Sequence, residues 1–268
     1  MNIDITNIPR KIIMWLLCLD FGLSSAFAVA QSETENAAQQ YQQAMQSWAN
    51  VLSTYVDEKG RINFYGIKEN PQELRSVVDA IEIYGPDSHP EDFKDADVLM
   101  AYHINTYNAL AMQGVIDRDI PKGFTSTIKR ASFFLLRKVT IAGKKTNLYH
   151  YENKVIRPLD EPRSHFALNC MVKDCPRLPQ KPFTAENLDA ELDVAAKEFF
   201  SKPVHFNIDH DKKRINVSSI LKFYTEDFVE SGKKKDLPNY INQYLSEKLP
   251  EDYKVSYIKY DWRINQQP

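Results

Sequence analysis

The segment Leu99-Met-Ala-Tyr-His-Ile-Asn-Thr-Tyr-Asn-Ala-Leu-Ala-Met112 is apolar on nearly every side of a helix. It forms the centre of the longest helical stretch, predicted over Glu91–Ile116. A helix of this kind is buried within a domain, so the rest of the chain must wrap around it. Asn105 and Asn108 sit three residues apart and share one face, with Tyr107 alongside. Buried amides must be hydrogen-bonded. The pair therefore clamps a neighbouring loop or contacts a ligand, and the clamp is the commoner role.

On the N-terminal side, Tyr41, Met45, Trp48, Leu52 and Tyr55 recur at helical spacing and predict a helix over 37–57. Arg61–Tyr65 reads as extended after the Glu58-Lys-Gly60 turn. Pro71 opens a helix to about Tyr84. On the C-terminal side, a short helix lies within Phe124–Arg137. A β-hairpin is predicted over 138–148 around Gly143. Helices follow over 149–157 and 184–200, then a second hairpin pairing 204–208 with 214–217. Helices over 218–224 and 237–249 precede a terminal strand at 255–260. Helices mixed with hairpins, without βαβ alternation, predict an α+β fold: one helix-rich domain over 37–268 with two β-hairpins and a C-terminal strand.

The N-terminus reads as a secretory signal over residues 1–30. Arg10 and Lys11 precede the apolar run Ile12–Leu19, and Ser25-Ala-Phe-Ala-Val-Ala30 offers small-residue cleavage sites. Asp20 interrupts the run, which is too short for a membrane span. Residues 31–36 read as a flexible leader. The expectation is a periplasmic or secreted protein of about 238 of the 268 residues, with no stable membrane span after cleavage. The formal net charge of −2 gives no electrostatic case for nucleic acid. The chain has 8 glycines and neither G-x-G-x-x-G nor G-K-[ST], so no nucleotide cofactor is implied.

Chemistry concentrates in Asp160-Glu-Pro-Arg-Ser-His-Phe-Ala-Leu-Asn-Cys-Met-Val-Lys-Asp-Cys-Pro176. His165, Cys170 and Cys175 are the candidate catalytic groups, because imidazole and thiol ionise nearest neutral pH. Positions 165 and 170 diverge on either a helix or a strand. Cys175, returning on the loop, is the better partner for His165, with Glu152 or Asp261 as a group to orient the ring. Four readings of the cysteines stay open: a structural disulfide, a reactive thiol, a metal site through His165-x4-Cys170-x4-Cys175, or inert thiols. Export favours the disulfide. The metal spacing lacks C-x2-C and a clear fourth ligand, so no metal is expected. Arg157 and Arg163 are candidates for carboxylate or phosphate capture, set against structural pairing with Glu152, Glu161 or Asp261.

The order of these motifs resembles the bacterial domain-of-unknown-function 547 family. Ala101-Tyr-His-Ile-Asn-Thr-Tyr-Asn-Ala109 is similar to A-F-W-I-N-x-Y-N-A. Gly143…Leu148, Tyr151-Glu-Asn…Ile156-Arg157 and Glu161-Pro-Arg-Ser-His-Phe-Ala-Leu-Asn-Cys170…Cys175-Pro176 follow in order. Ser218-Ser-Ile-Leu-Lys-Phe-Tyr224 with Asp227-Phe228, and Tyr260-Asp-Trp-Arg-Ile-Asn265, complete the pattern. His103 stands in place of the usual Trp, Asn153 of His and Glu161 of Asp. The resemblance implies an exported domain and carries no established biochemical role. The residues themselves suggest a His/Cys-centred site, formed where the Asn105/Asn108 helix meets Glu152–Cys175 and acting on a small molecule or peptide. A cysteine-dependent hydrolase or acyl transferase is one expectation. A non-catalytic binding or assembly module braced by a Cys170–Cys175 disulfide is the other.

Overall fold

The computed structural model describes residues 36–268; the signal segment and most of the leader lie outside that range. The chain forms one helix-rich α+β domain with a two-stranded and a three-stranded sheet. Helix α1 covers residues 36–55. Helix α2 (Phe64–Glu69) begins where an extended segment is predicted, because the Asn63 side chain accepts from Gly66 N and caps it. Helix α3 spans Gln72–Ile83.

Helix α4, Ala96–Ile116, is the axis of the fold and is buried without interruption from Met100 to Met112. It starts later than the sequence suggests. Asp95 accepts from Asp97 N and Val98 N as its N-cap, and Pro90–Phe93 forms a separate 3-10 turn. Helices α1, α3 and α4 share a core that includes Trp48, Leu52, Val77, Ile81, Ile104 and Leu110.

Helix α5 (Thr127–Ala131) runs on into a π turn at Ser132–Leu136. Strands β1 (Val139–Ile141) and β2 (Lys144–Thr146) form the expected first hairpin. Helix α6 (Leu148–Tyr151) gives way to a second π turn at Glu152–Ile156, where one continuous helix is predicted. Helix α7 covers Leu188–Ser201.

The second hairpin pairs β3 (Phe206–Asp209) with β4 (Arg214–Ser218). The terminal strand β5 (Lys254–Ile258) adds parallel to β4, with Ile215 opposite Val255. Parallel neighbours need a crossover. Here it contains α8 (Ile220–Phe223), α9 (Thr225–Phe228) and α10 (Leu237–Ile241). Helix α10 ends well short of the predicted Leu249. These elements and α7 enclose a second core around Phe199, Phe200, Val217, Leu221 and Ile241.

Phe166 belongs to the second core and its neighbour Ala167 to the first, so the 160s segment passes between the two. The C-terminal tail joins them again. Arg263 bridges Gly123, Ile264 bridges Val172, and Gln266 bridges Ile62. Gly123 has φ 153°, and a Cβ there would come within 2.5 Å of the Trp262 carbonyl oxygen, so only glycine lets the tail approach. Among the described residues, no helix is long and apolar enough to cross a membrane.

Candidate functional site

A cavity of about 370 Å³ opens between the two cores. Its aromatic wall comprises Tyr107, Phe134, Tyr149, Phe223, Tyr224, Tyr260 and Trp262. Its polar groups include Glu152, Asn153, His165 and Arg130, and the Cys170–Cys175 segment closes one side. That size and lining are typical of a small-molecule site.

Both π turns supply wall residues: Phe134 and Leu135 from one, Glu152 and Asn153 from the other. A π turn re-aims side chains that a regular helix would carry elsewhere. Glu152 is buried, and each of its oxygens accepts from a tyrosine. Tyr107 donates to Oε2 at 2.8 Å and Tyr224 to Oε1 at 2.5 Å. Burial, reinforced by the Glu152 charge, pushes both phenols well above their usual ionisation range, so they remain donors. A carboxylate accepts more than two hydrogen bonds, so Glu152 retains capacity for a ligand.

His165 lies on the 3-10 turn Pro162–Phe166, which begins with proline and is capped by Glu161 accepting from Arg163 N. Its ring is stacked on Tyr224 with centroids 4.1 Å apart. Its Nε2 is 2.7 Å from Asp227 Oδ2. Asp227 also takes a two-point contact from Arg157, through Nε and Nη2, each at 2.6 Å. Burial alone would raise the Asp227 pKa, but hydrogen bonds from Arg157 and His165 outweigh it and hold the carboxyl down at about 2. Tyr224 is thus held by His165 stacked on its ring and by Arg157, whose guanidinium carbon lies 5.2 Å from the ring centroid.

Cys170 and Cys175 are disulfide-bonded, with Cα atoms 6.3 Å apart. The intervening loop is not helical, which is what allows the bond to close. Asn169 braces the loop, donating to the Pro176 carbonyl and accepting from Met171 N. Met171 adopts φ 67° there, unusual for a residue with a side chain. The Tyr260 hydroxyl lies 3.7 Å from one sulfur and 3.5 Å from the other.

Among the residues singled out from sequence, His165, Glu152, Cys170 and Cys175 line this one cavity. Asn105, Asn108, Arg157, Arg163 and Asp261 are not in its wall. Asn105 donates to the Phe183 carbonyl and accepts from Phe183 N and Trp48 Nε1. Asn108 donates to the Ala167 carbonyl and accepts from Asn169 N. Both amides clamp loops, the second beneath the cavity. Arg163 pairs with Glu161, Asp189 and Asp193 and fastens the 160s turn to α7. Asp261 pairs with Arg263.

The partner that orients His165 is Asp227, not Glu152 or Asp261. Asp227 stands in the Asp227-Phe228 pair of the sequence, but only the crossover between β4 and β5 carries it to His165. Tyr224 and Tyr260 carry no site signal of their own, since a tyrosine in sequence has no mark that separates core from site.

No curated protein and no solved structure matches the chain. Residues 91–200 match the family described as "Protein of unknown function, DUF547". That span holds α4, both π turns, His165 and the disulfide, whereas Tyr224, Asp227 and Tyr260 come from beyond it. The chain carries a DUF547 family domain.

Proposed function

We propose that this is an exported, disulfide-braced binding domain whose cavity takes a compact, largely apolar or aromatic molecule bearing an amine or other hydrogen-bond donor. The observation that carries the reading is Glu152: a buried carboxylate, fixed by two tyrosine hydroxyls, in the wall of an otherwise largely apolar cavity. Aromatic walls supply contact area and a fixed polar group supplies orientation. A cysteine-dependent hydrolase or acyl transferase needs a thiolate. Both sulfurs are occupied by the disulfide, so that chemistry would first require reduction.

Calorimetric titration with phenethylamine and 3-phenylpropionate tests the reading. The amine should bind and the acid should not. Glu152→Gln should weaken the amine by roughly 10–100-fold, the worth of a hydrogen bond to a charged group. Binding of neither probe, or equal binding to the variant, removes this assignment. Export rests on the signal motif alone. Intact-mass analysis of periplasmic material should find a chain beginning near Val29 or Gln31, and retention of Met1 on membrane-bound protein would refute cleavage.

A further inference from the structure

The mouth of the cavity is apolar and its flank is basic. Leu135, Tyr149 and Phe223 line the cavity and are also exposed, which places them at its opening. Ile128 and Leu136 lie beside them on the α5–π segment and are 82% and 72% exposed. Ile128 precedes the wall residue Ala131 by three positions within α5, and Leu136 follows the wall residue Leu135 in the π turn. These five account for half of the ten large apolar side chains exposed among the described residues. Such a concentration around one opening marks an interaction surface rather than scattered exposure.

The charge of the same segment selects the partner. Pro121–Lys138 contains Lys122, Lys129, Arg130, Arg137 and Lys138 and no Asp or Glu, in a chain whose net charge is −2. Arg137 is turned inward onto Asp117 and the Leu110 carbonyl. Arg130 is held by the Phe124 carbonyl and lies 4.8 Å from the Trp262 ring centroid. Lys122, Lys129 and Lys138 are exposed and have no ion-pair partner among the described residues. Protruding aliphatic side chains interleaved with free lysines are the chemistry of an anionic bilayer surface.

We infer that the α5–π segment docks the domain on anionic lipid, with Ile128 and Leu136 entering the interface and the cavity mouth facing the membrane. Docking does not depend on what fills the cavity. It gives an apolar ligand a route from the bilayer that avoids water.

Hydrogen–deuterium exchange of the full chain tests this locally, so lipid contacts of the N-terminal apolar run do not confuse the result. Peptides covering 127–138 should exchange more slowly with mixed phosphatidylcholine–phosphatidylglycerol vesicles, and not with phosphatidylcholine alone. The double variant Ile128→Asp, Leu136→Asp should lose that protection at unchanged melting temperature. Lys122→Gln and Lys129→Gln should each weaken it roughly fivefold. Absence of protection on anionic vesicles, or equal protection in the double variant, overturns the inference. So does protection that appears without lipid as protein concentration rises, since the surface would then join two copies of the chain.

Discussion

Tyr224 lies flat on His165, 4.1 Å between ring centroids, while its hydroxyl holds Glu152 at 2.5 Å. One side chain thus links two of the polar groups of the cavity. It comes from the crossover between β4 and β5, and the groups it links come from the α6 and 160s segments. Replacing Tyr224 by Phe keeps the stack and removes the hydrogen bond. The loss should be about 1.5–3 kcal/mol in urea unfolding, the range for a hydrogen bond to a charged group. Unchanged stability would mean that water replaces the hydroxyl.

Stability should fall with acidity in two stages. Burial lowers His103 to about 4, and burial, with the nearby Lys202 charge, lowers His205 to about 4. Each stays neutral in the fold and takes up a proton more readily when unfolded. Their contribution is complete above about pH 6.5 and is lost as pH falls toward 4. It is worth up to about 3 kcal/mol each. Asp227 then governs the lower window. Its depressed pKa stabilises the fold above about pH 4, by about 2–3 kcal/mol, and that is lost toward pH 2. Melting temperatures of His103→Phe, His205→Phe and Asp227→Asn across pH 2–8 separate the stages. The histidine variants should flatten the upper window and the Asp variant the lower. Parallel curves for wild type and variants would disprove the assignment.

Alkylation without reductant should leave Cys170 and Cys175 unmodified, and mass spectrometry reads this directly. Reduction should cost about 2 kcal/mol for so short a loop on the chain-entropy model. It should also weaken phenethylamine, because the bridged segment is part of the cavity wall. Two alkylated cysteines in unreduced protein would refute the bond and return the thiol chemistry to consideration.

Asn105→Leu strands Trp48 Nε1 and both backbone groups of Phe183, and Asn108→Leu strands the Ala167 carbonyl and Asn169 N. Each stranded buried group costs about 1–3 kcal/mol. Both variants should melt lower. Asn108→Leu should in addition weaken the amine probe, because it frees the loop that carries Asn169 and the disulfide. Equal effects of the two on binding would show that the clamp serves the core alone.

The buried helix, the two hairpins, the clamping amides and the clustering of His165 with both cysteines follow from sequence. Each is a local matter of period, turn chemistry or hydrogen-bond obligation. The interruptions of helices were not legible. A π turn at Glu152 and an early end to α10 depend on what the neighbouring elements leave to pack against, and propensity does not record that. Nor was the parallel pairing of β5 with β4, because strand order depends on contacts between segments far apart in the chain. That pairing sets the crossover that carries Tyr224 and Asp227 to His165. Sequence therefore determined the buried helix and the candidate side chains, His165, Glu152 and the two cysteines, that gather beside it. Tertiary structure decided their partners: Asp227 rather than Glu152 or Asp261 for the imidazole, and two tyrosines for the carboxylate. A buried charge takes whichever donors the packing of remote segments brings within about 3 Å, and no spacing along the chain encodes that distance.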